Sequence, residues 1–166
     1  MLHSQEKLTP EQKQMARRRR ILQGRAAQGI CILAAFAAIT LYAVHQQSRR
    51  ETSLHRDGYS FGRSARLLAK HSNTREAVRA RFAAVGTATS WDETLHHARG
   101  LVQQFRQYSI PLDYGQFARD LFDLQQPTTA DRVRLRWGRD FFRARHVEDD
   151  DTTPDGTETA LSDDND

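Results

Sequence analysis

Residues 90–107 read SWDETLHHARGLVQQFRQ and decide the fold class. Ser90 and Glu93 have the spacing of a capping box, in which the serine hydroxyl accepts a hydrogen bond from the Glu93 amide and the glutamate carboxylate reaches back. Such a box is a signal for the start of a helix. The stretch therefore predicts a helix that runs from this box to about Gln107.

Helix signals recur on both sides of this stretch, while strand patterns are nearly absent. The helix starts are marked by capping residues or a proline, namely Ser60, Asn73 or Thr74, Ser90, Asp113, and Pro127 with Thr128 and Thr129. The predicted helices cover about 61–70, 73–86, 90–107, 113–125 and 127–145. The sequence therefore predicts an all-α fold, a helical bundle of about five helices.

An apolar segment at 26–44 reads AAQGICILAAFAAITLYAV and has two interpretations. Its length is close to the ~20 residues that span a bilayer, so it is a candidate membrane anchor. Its many alanines gain little from lipid, and basic residues flank both ends. The alternative is a core helix that is apolar on all sides because neighbouring helices surround it. In that case Cys31 is a small buried hydrophobe.

The net charge of +4 hides an uneven distribution. Residues 147–166 contain nine acidic residues and no Lys or Arg, so the other 146 residues hold 25 basic against 21 − 9 = 12 acidic residues, a balance of +13. The acidic stretch lacks aromatic residues and is predicted to be a disordered tail. The basic remainder favours a polyanionic partner, with nucleic acid first and an anionic membrane surface second.

The arginines of the last predicted helix are aligned. Arg132, Arg136, Arg139 and Arg143 form one stripe about 16 Å long. Like charges at this spacing repel, so the stripe indicates either an anionic partner or acids nearby. Asp131 and Asp140 can neutralise only part of the positive charge of this stripe. Shorter basic stripes occur at Arg63, Arg66 and Lys70, and at Arg75 and Arg79. A merely solvated basic face is the alternative.

Motifs for catalysis or metal binding are weak. A single cysteine excludes cysteine-based zinc clusters, and the adjacent His96 and His97 point to different faces of a helix. We predict a protein that is not an enzyme and has no cofactor or metal. Tyr59, Phe61 and Trp91 are candidates for stacking on bases, although aromatic residues at helical spacing more often belong to the core. The charges favour contact with phosphates and little sequence readout.

Six short motifs, taken in order, resemble a known family. They are LYAVHQQS at 41–48, SFGRS at 60–64, RGLV at 99–102, IPLDY at 110–114, FARDL at 117–121 and RLRWGRDF at 134–141. Their order and spacing resemble the CasB family, the small subunit of the type I-E CRISPR Cascade complex. The resemblance covers roughly residues 30 to 145.

The resemblance implies an all-helical, non-catalytic, cytoplasmic subunit in which residues 26–44 form a buried helix and no membrane is involved. It implies as partners the backbone and large subunits of Cascade, a second copy of the chain, the guide RNA, and the target and non-target DNA. Together with the stripes it selects as nucleic-acid-binding residues Arg49, Arg50, Arg56, Arg63, Arg66, Arg99, Arg132, Arg136, Arg139 and Arg143. These would hold the displaced strand and stabilise the R-loop.

The chain is accordingly divided into a divergent basic N-terminal segment at 1–25, a CasB-like helical domain at 26–146 and the acidic tail at 147–166. The first segment does not resemble the helical stretch that the family carries before its apolar helix. The alternative function is a single-pass membrane protein with a basic helical domain.

Overall fold

Six α-helices make up the part of the chain that the structure describes, which is 9–49, 52–71 and 75–143. In this computed structural model they are α1 (Pro10–Gln46), α2 (Phe61–His71), α3 (Arg75–Thr87), α4 (Trp91–Gln107), α5 (Tyr114–Leu124) and α6 (Ala130–Phe142). The predicted all-α bundle is confirmed, with six helices where about five were expected. The acidic tail lies outside the described residues.

The helix starts follow the capping signals in most cases. Ser90 accepts a hydrogen bond from the Glu93 amide at 3.2 Å. The Glu93 carboxylate accepts from the Thr89 amide at 2.9 Å, one residue earlier than the capping box predicts. The last helix begins at Ala130 and not at Pro127, because the Thr129 hydroxyl donates to the Asp123 carbonyl at 2.7 Å and closes a turn there.

Helix α1 is 37 residues long, about 55 Å at the usual rise per residue. Thr9 caps it by a reciprocal pair of hydrogen bonds with Gln12, and Pro10 occupies its first turn, where a missing amide hydrogen costs nothing. Its buried residues all lie in the second half, at Ala34, Ala37, Ala38, Leu41 and His45. The small alanine side chains bring this half close to α4 and α5.

The expected burial of 26–44 on all sides is wrong for the described structure. Phe36 is 70% exposed, and Ile32 and Ile39 are exposed as well. Cys31, expected to be buried, is also exposed. The physical reason is that described helices pack along one side of α1 only. The helix is long and apolar enough to cross a membrane by length and composition, with 22% of its most apolar window buried, which is weak evidence for a span.

Phe61 of α2 lies at the centre of the core and contacts the four helices α3 to α6. Its ring centroid is 4.7 Å from that of Trp137 on α6 and 5.1 Å from that of Phe117 on α5. It also contacts Phe105 of α4 and Phe82 of α3. These aromatic contacts fix the direction in which α2 leaves the preceding loop, and that loop carries part of the candidate site.

Gly62 sets the distance between α2 and α6. A Cβ atom at this position would overlap the carbonyl oxygen of Trp137 and would lie 3.0 Å from the Cβ of Asp140. No larger residue fits there unless the helices separate. Ser60 strengthens the same contact by donating to Asp140 Oδ2 at 2.5 Å. The arginines of α2 and α6 are therefore carried by two helices in direct contact.

Candidate nucleic-acid interface

Tyr59 brings two of the predicted arginines together. The Cζ atom of Arg63 lies 4.0 Å from the centroid of the Tyr59 ring, and the Cζ atom of Arg56 lies 4.9 Å from it. Arg56 is exposed and Arg63 is half-buried. Stacking on an aromatic face restricts a guanidinium while leaving N–H groups at its edge to donate. The Arg56–Tyr59–Arg63 cluster therefore places two positive charges at the surface, and the Tyr59 ring restricts the motion of both guanidinium groups.

Asp113 fastens the loop that carries this cluster. Its carboxylate accepts hydrogen bonds from the amides of Gly58 and Gln116, at 3.0 and 2.9 Å, and its own amide donates to the Tyr59 carbonyl at 2.8 Å. Burial pushes the pKa of Asp113 upward, but the donating amides outweigh it and leave the pKa below its usual value. The carboxylate is therefore charged at neutral pH and holds the loop on α5.

His55, Asp57 and Asp113 place ligand atoms within 4.8 Å of one another. A metal ion would compete there with existing bonds, since both oxygens of Asp113 already accept backbone amides. The Nδ1 atom of His55 likewise lies 3.2 Å from the amide of Tyr114. We assign His55 and Asp113 to the fastening of the loop.

The first half of the predicted stripe on α6 is already paired with acids of α5. Arg136 forms an ion pair with the buried Asp120, and Arg132 lies 3.9 Å from the carboxylate of Asp123. Burial raises the pKa of Asp120, while its hydrogen bond from Trp137 and the charge of Arg136 oppose the rise. These acids are not the ones that the sequence suggested.

Asp131 and Asp140, which were expected to answer part of the stripe, have other partners. Asp131 pairs with Arg134 at 3.1 Å, and Arg134 lies off the stripe. Asp140 accepts from Ser60 across the α2–α6 contact. The acidic partners of Arg132 and Arg136 lie on α5. The spacing of residues along α6 does not indicate contacts with another helix.

The second half of the stripe, Arg139 and Arg143, is exposed. Within the described ranges no carboxylate lies within 4.0 Å of either guanidinium. On α2, Arg66 is half-buried, and its buried Nε atom has no hydrogen-bond partner among the described residues. The exposed Arg139 and Arg143 therefore retain donors for an anionic ligand.

Arg49 stabilises the C-terminal end of α4 through hydrogen bonds. Its guanidinium donates to the carbonyl of Arg106 at 2.9 Å and to the hydroxyl of Ser109 at 2.8 Å. Carbonyls in the last turn of a helix lack intrahelical partners, and cations there are favourable. Arg50, the other predicted residue of this segment, lies outside the described residues.

Arg99 lies in a polar groove along α4. The groove is lined by two arginines, two histidines, a glycine and three glutamines, namely Arg81, Arg99, His96, His97, Gly100, Gln103, Gln104 and Gln107. None of these described lining residues is acidic. Arg81 lies on α3 and was not predicted. It lies beside Gly100 of α4, where a Cβ would be in ordinary van der Waals contact with Arg81 Cδ at 3.5 Å.

The aromatic candidates for base stacking belong mainly to the interior. Phe61 is 1% exposed and sits in the core, and the face of Tyr59 is occupied by arginines. Trp91 is half-buried and lines an apolar groove with Phe36 of α1. The expectation that such aromatic residues more often form core fits Phe61 and Tyr59.

Comparison with known proteins gives two matches. The model of the family described as CRISPR-associated protein Cse2 matches residues 11–142. The solved structure of CasB from Thermobifida fusca matches with a TM-score of 0.65 and 39% sequence identity, over 69% of this chain and 65% of that one. No curated protein sequence matches.

This chain belongs to the Cse2 family of CRISPR-associated proteins. The resemblance to CasB drawn from the six motifs is confirmed. The Cse2 match begins at residue 11 and so includes most of the basic first half of α1, which the motifs had set apart. The chain spans about 65% of the length of the Thermobifida fusca protein.

Proposed function

We propose that this Cse2-family chain is a non-catalytic subunit of a type I-E Cascade complex in the cytoplasm and binds nucleic acid through its arginines. Its proposed partners are the backbone and large subunits, a second copy of itself, the guide RNA, and the target and displaced DNA strands. Family membership supports the assignment to the complex. The Arg56–Tyr59–Arg63 cluster is the single observation that carries nucleic-acid binding.

The chemistry of this cluster suits phosphate. A guanidinium donates two parallel hydrogen bonds to a phosphate, and such charge-assisted bonds are about twice as strong as neutral ones. Stacking of both guanidinium groups on Tyr59 reduces the conformational entropy that binding would cost. A phosphate contact carries no base information, so this surface binds strands of any sequence.

The predicted arginines divide into two roles in this proposal. Those whose side chains are exposed or half-buried and are assigned no structural bond contact phosphates in this proposal, namely Arg56, Arg63, Arg66, Arg99, Arg139 and Arg143. Arg49 and Arg136 act through position, because each is bound within the protein. Arg132 is 70% exposed at its side chain and only loosely paired, so it joins the contacting set.

Modest contacts of this kind are sufficient for a role in the R-loop. Exchange of a DNA duplex for an RNA–DNA hybrid is nearly balanced in free energy, so a few phosphate contacts to the displaced strand favour the open state. The subunit needs no catalytic group for this task.

Binding of single-stranded DNA at several salt concentrations tests the surface. Arg56→Ala with Arg63→Ala should weaken binding equally for unrelated sequences, and should reduce the log–log salt slope by roughly 0.7 for each phosphate that the protein no longer binds. The matched control is Arg119→Ala with Arg134→Ala, which removes the same charge from arginines that bond Gly115 and Asp131 and stack on no described aromatic ring. Equal slopes for the two double variants would remove the cluster from the site.

A membrane anchor is the second candidate, supported by the exposed apolar face of α1. Against it, Leu41 and His45 of the same helix are buried against the bundle. Extraction of expressed cells with carbonate separates the two functions. Release of the chain into the soluble fraction supports the Cascade subunit, and retention in the pellet supports the anchor.

A further inference from the structure

We propose that the acidic segment at 147–166 binds Arg139 of α6 and Arg143, the residue after α6, in the same chain and competes there with nucleic acid. Only the competition rests on the proposed function, since contact between the segment and α6 is measurable without nucleic acid. Two observations support the proposal: the distribution of ion pairs along α6 and the order of charges after it.

Ion pairing along α6 stops part-way. Arg132 and Arg136 have acids of α5 as partners, and Arg134 has Asp131. Arg139 and Arg143 follow on the same exposed stripe with no described carboxylate within 4.0 Å. The described acid nearest in sequence, Asp140, is bonded to Ser60. The arginines of the stripe without a described acidic partner, Arg139 and Arg143, therefore lie at the C-terminal end of α6.

The sequence continues from that end into its most acidic stretch. Nine carboxylates and no Lys or Arg occur between Glu148 and Asp166. The first acid follows Arg143 by five residues, which span at most roughly 17 Å when extended. Arg139 and Arg143 are one helical turn apart, about 6 Å. This length is sufficient for the first carboxylates of the segment to reach both guanidinium groups.

The partner chemistry matches that of a nucleic-acid strand. Both present a series of closely spaced anionic oxygens that accept bonds from guanidinium groups. The local concentration of a tethered segment is high, in the millimolar range for short connections. Binding of the segment to Arg139 and Arg143 would not involve the Arg56–Tyr59–Arg63 cluster and would limit how far a strand can extend along α6.

Carbodiimide crosslinking of the full chain tests the contact directly. Arg139→Lys places an amine that attacks a carboxylate activated by the carbodiimide, which forms an amide bond and releases the reagent as its urea. Peptides that join this new amine to 147–166 should exceed, several-fold, those from Arg134→Lys on the same helix and from the native Lys13. They should disappear at about 1 M salt, where the Debye length is about 3 Å. Equal yields from the three lysines would overturn the proposal.

Single-stranded DNA binding then tests the competition. Replacement of the nine acids by Asn and Gln should tighten binding several-fold at about 0.1 M salt, where charges act over about 10 Å. In a chain that also carries Arg139→Ala and Arg143→Ala, the same replacement should tighten binding clearly less. An equal gain in both backgrounds would contradict competition at α6. Crosslinking without any DNA binding would instead refute the proposed function and leave the contact standing.

Discussion

The indole Nε1–H of Trp137 donates a 2.6 Å hydrogen bond to Oδ2 of Asp120 in the interior of the bundle. The other carboxylate oxygen is bound by Arg136, the residue before Trp137 on α6. Asp120 therefore accepts a hydrogen bond from the only polar group of Trp137, the largest core side chain. It also neutralises the charge of Arg136 from the stripe. Arg136, one of the four arginines of the predicted stripe, is thus tied into the core.

Asp120→Ala should lower the free energy of unfolding by about 2–4 kcal/mol, because it leaves the indole N–H and a half-buried guanidinium without partners. Urea unfolding measures the change. Asp131→Ala is the matched control, since its ion pair with Arg134 is exposed and should contribute less than about 1 kcal/mol. Similar losses for the two variants would show that the buried pair is not structural.

Gly62→Ala should destabilise the protein by roughly 2–3 kcal/mol, because the new methyl group meets the carbonyl oxygen of Trp137. Gly138→Ala is its control on α6, where a Cβ meets nothing within 4 Å. That substitution should stabilise the helix by up to about 1 kcal/mol. Thermal unfolding of the two variants should therefore shift in opposite directions, and a stable Gly62→Ala protein would disprove the close α2–α6 contact.

The buried His45 side chain should make the protein less stable in mild acid. Burial lowers its pKa from 6.5 to about 4, and its Nδ1 atom lies 3.0 Å from the Tyr114 hydroxyl. Between these pH values the unfolded chain takes up a proton that the folded protein does not bind. The free energy of unfolding therefore falls as the pH falls through this window, by up to about 3 kcal/mol.

Urea unfolding at pH 7 and pH 4.5 tests this with His45→Gln, which retains a polar side chain but does not titrate. The wild type should lose more stability than the variant between the two pH values. The same loss in both proteins would assign the acid sensitivity to other groups.

Polar substitutions on the exposed apolar face of α1 should leave the stability of the fold nearly unchanged. Ile32→Ser with Phe36→Ser changes side chains that are 62% and 70% exposed, so stability should shift by less than about 1 kcal/mol. Self-association of the isolated chain should decrease, as measured by sedimentation at increasing concentration. Leu41→Ser on the packed side of the same helix should instead unfold the protein, and equal stability of the two proteins would contradict the placement of α1.

The all-α class and most helix starts could be predicted from sequence because caps act locally. Ser90 and Asp113 bond to amides three residues later, within a single turn. The environment of α1 could not be predicted, since a uniformly apolar helix looks the same whether one side or all sides are covered. The predicted burial of Cys31 was wrong for this reason.

The candidate site was predictable only in outline. Spacing found the stripe on α6, but the division into bound and exposed arginines depends on Asp120 and Asp123 of another helix. Similarly, Arg56 and Arg63 are seven residues apart, and only the folded loop brings both to Tyr59. Arg81 could not be predicted because its groove is formed with α4.

The most direct test of the central claim is a pull-down of the tagged full chain co-expressed with its native operon, scored for guide RNA and for the large backbone subunits. We predict recovery of both, and reduced recovery of target DNA when Arg56→Ala and Arg63→Ala are combined. A soluble, folded chain that recovers neither RNA nor backbone subunits would contradict membership of the complex.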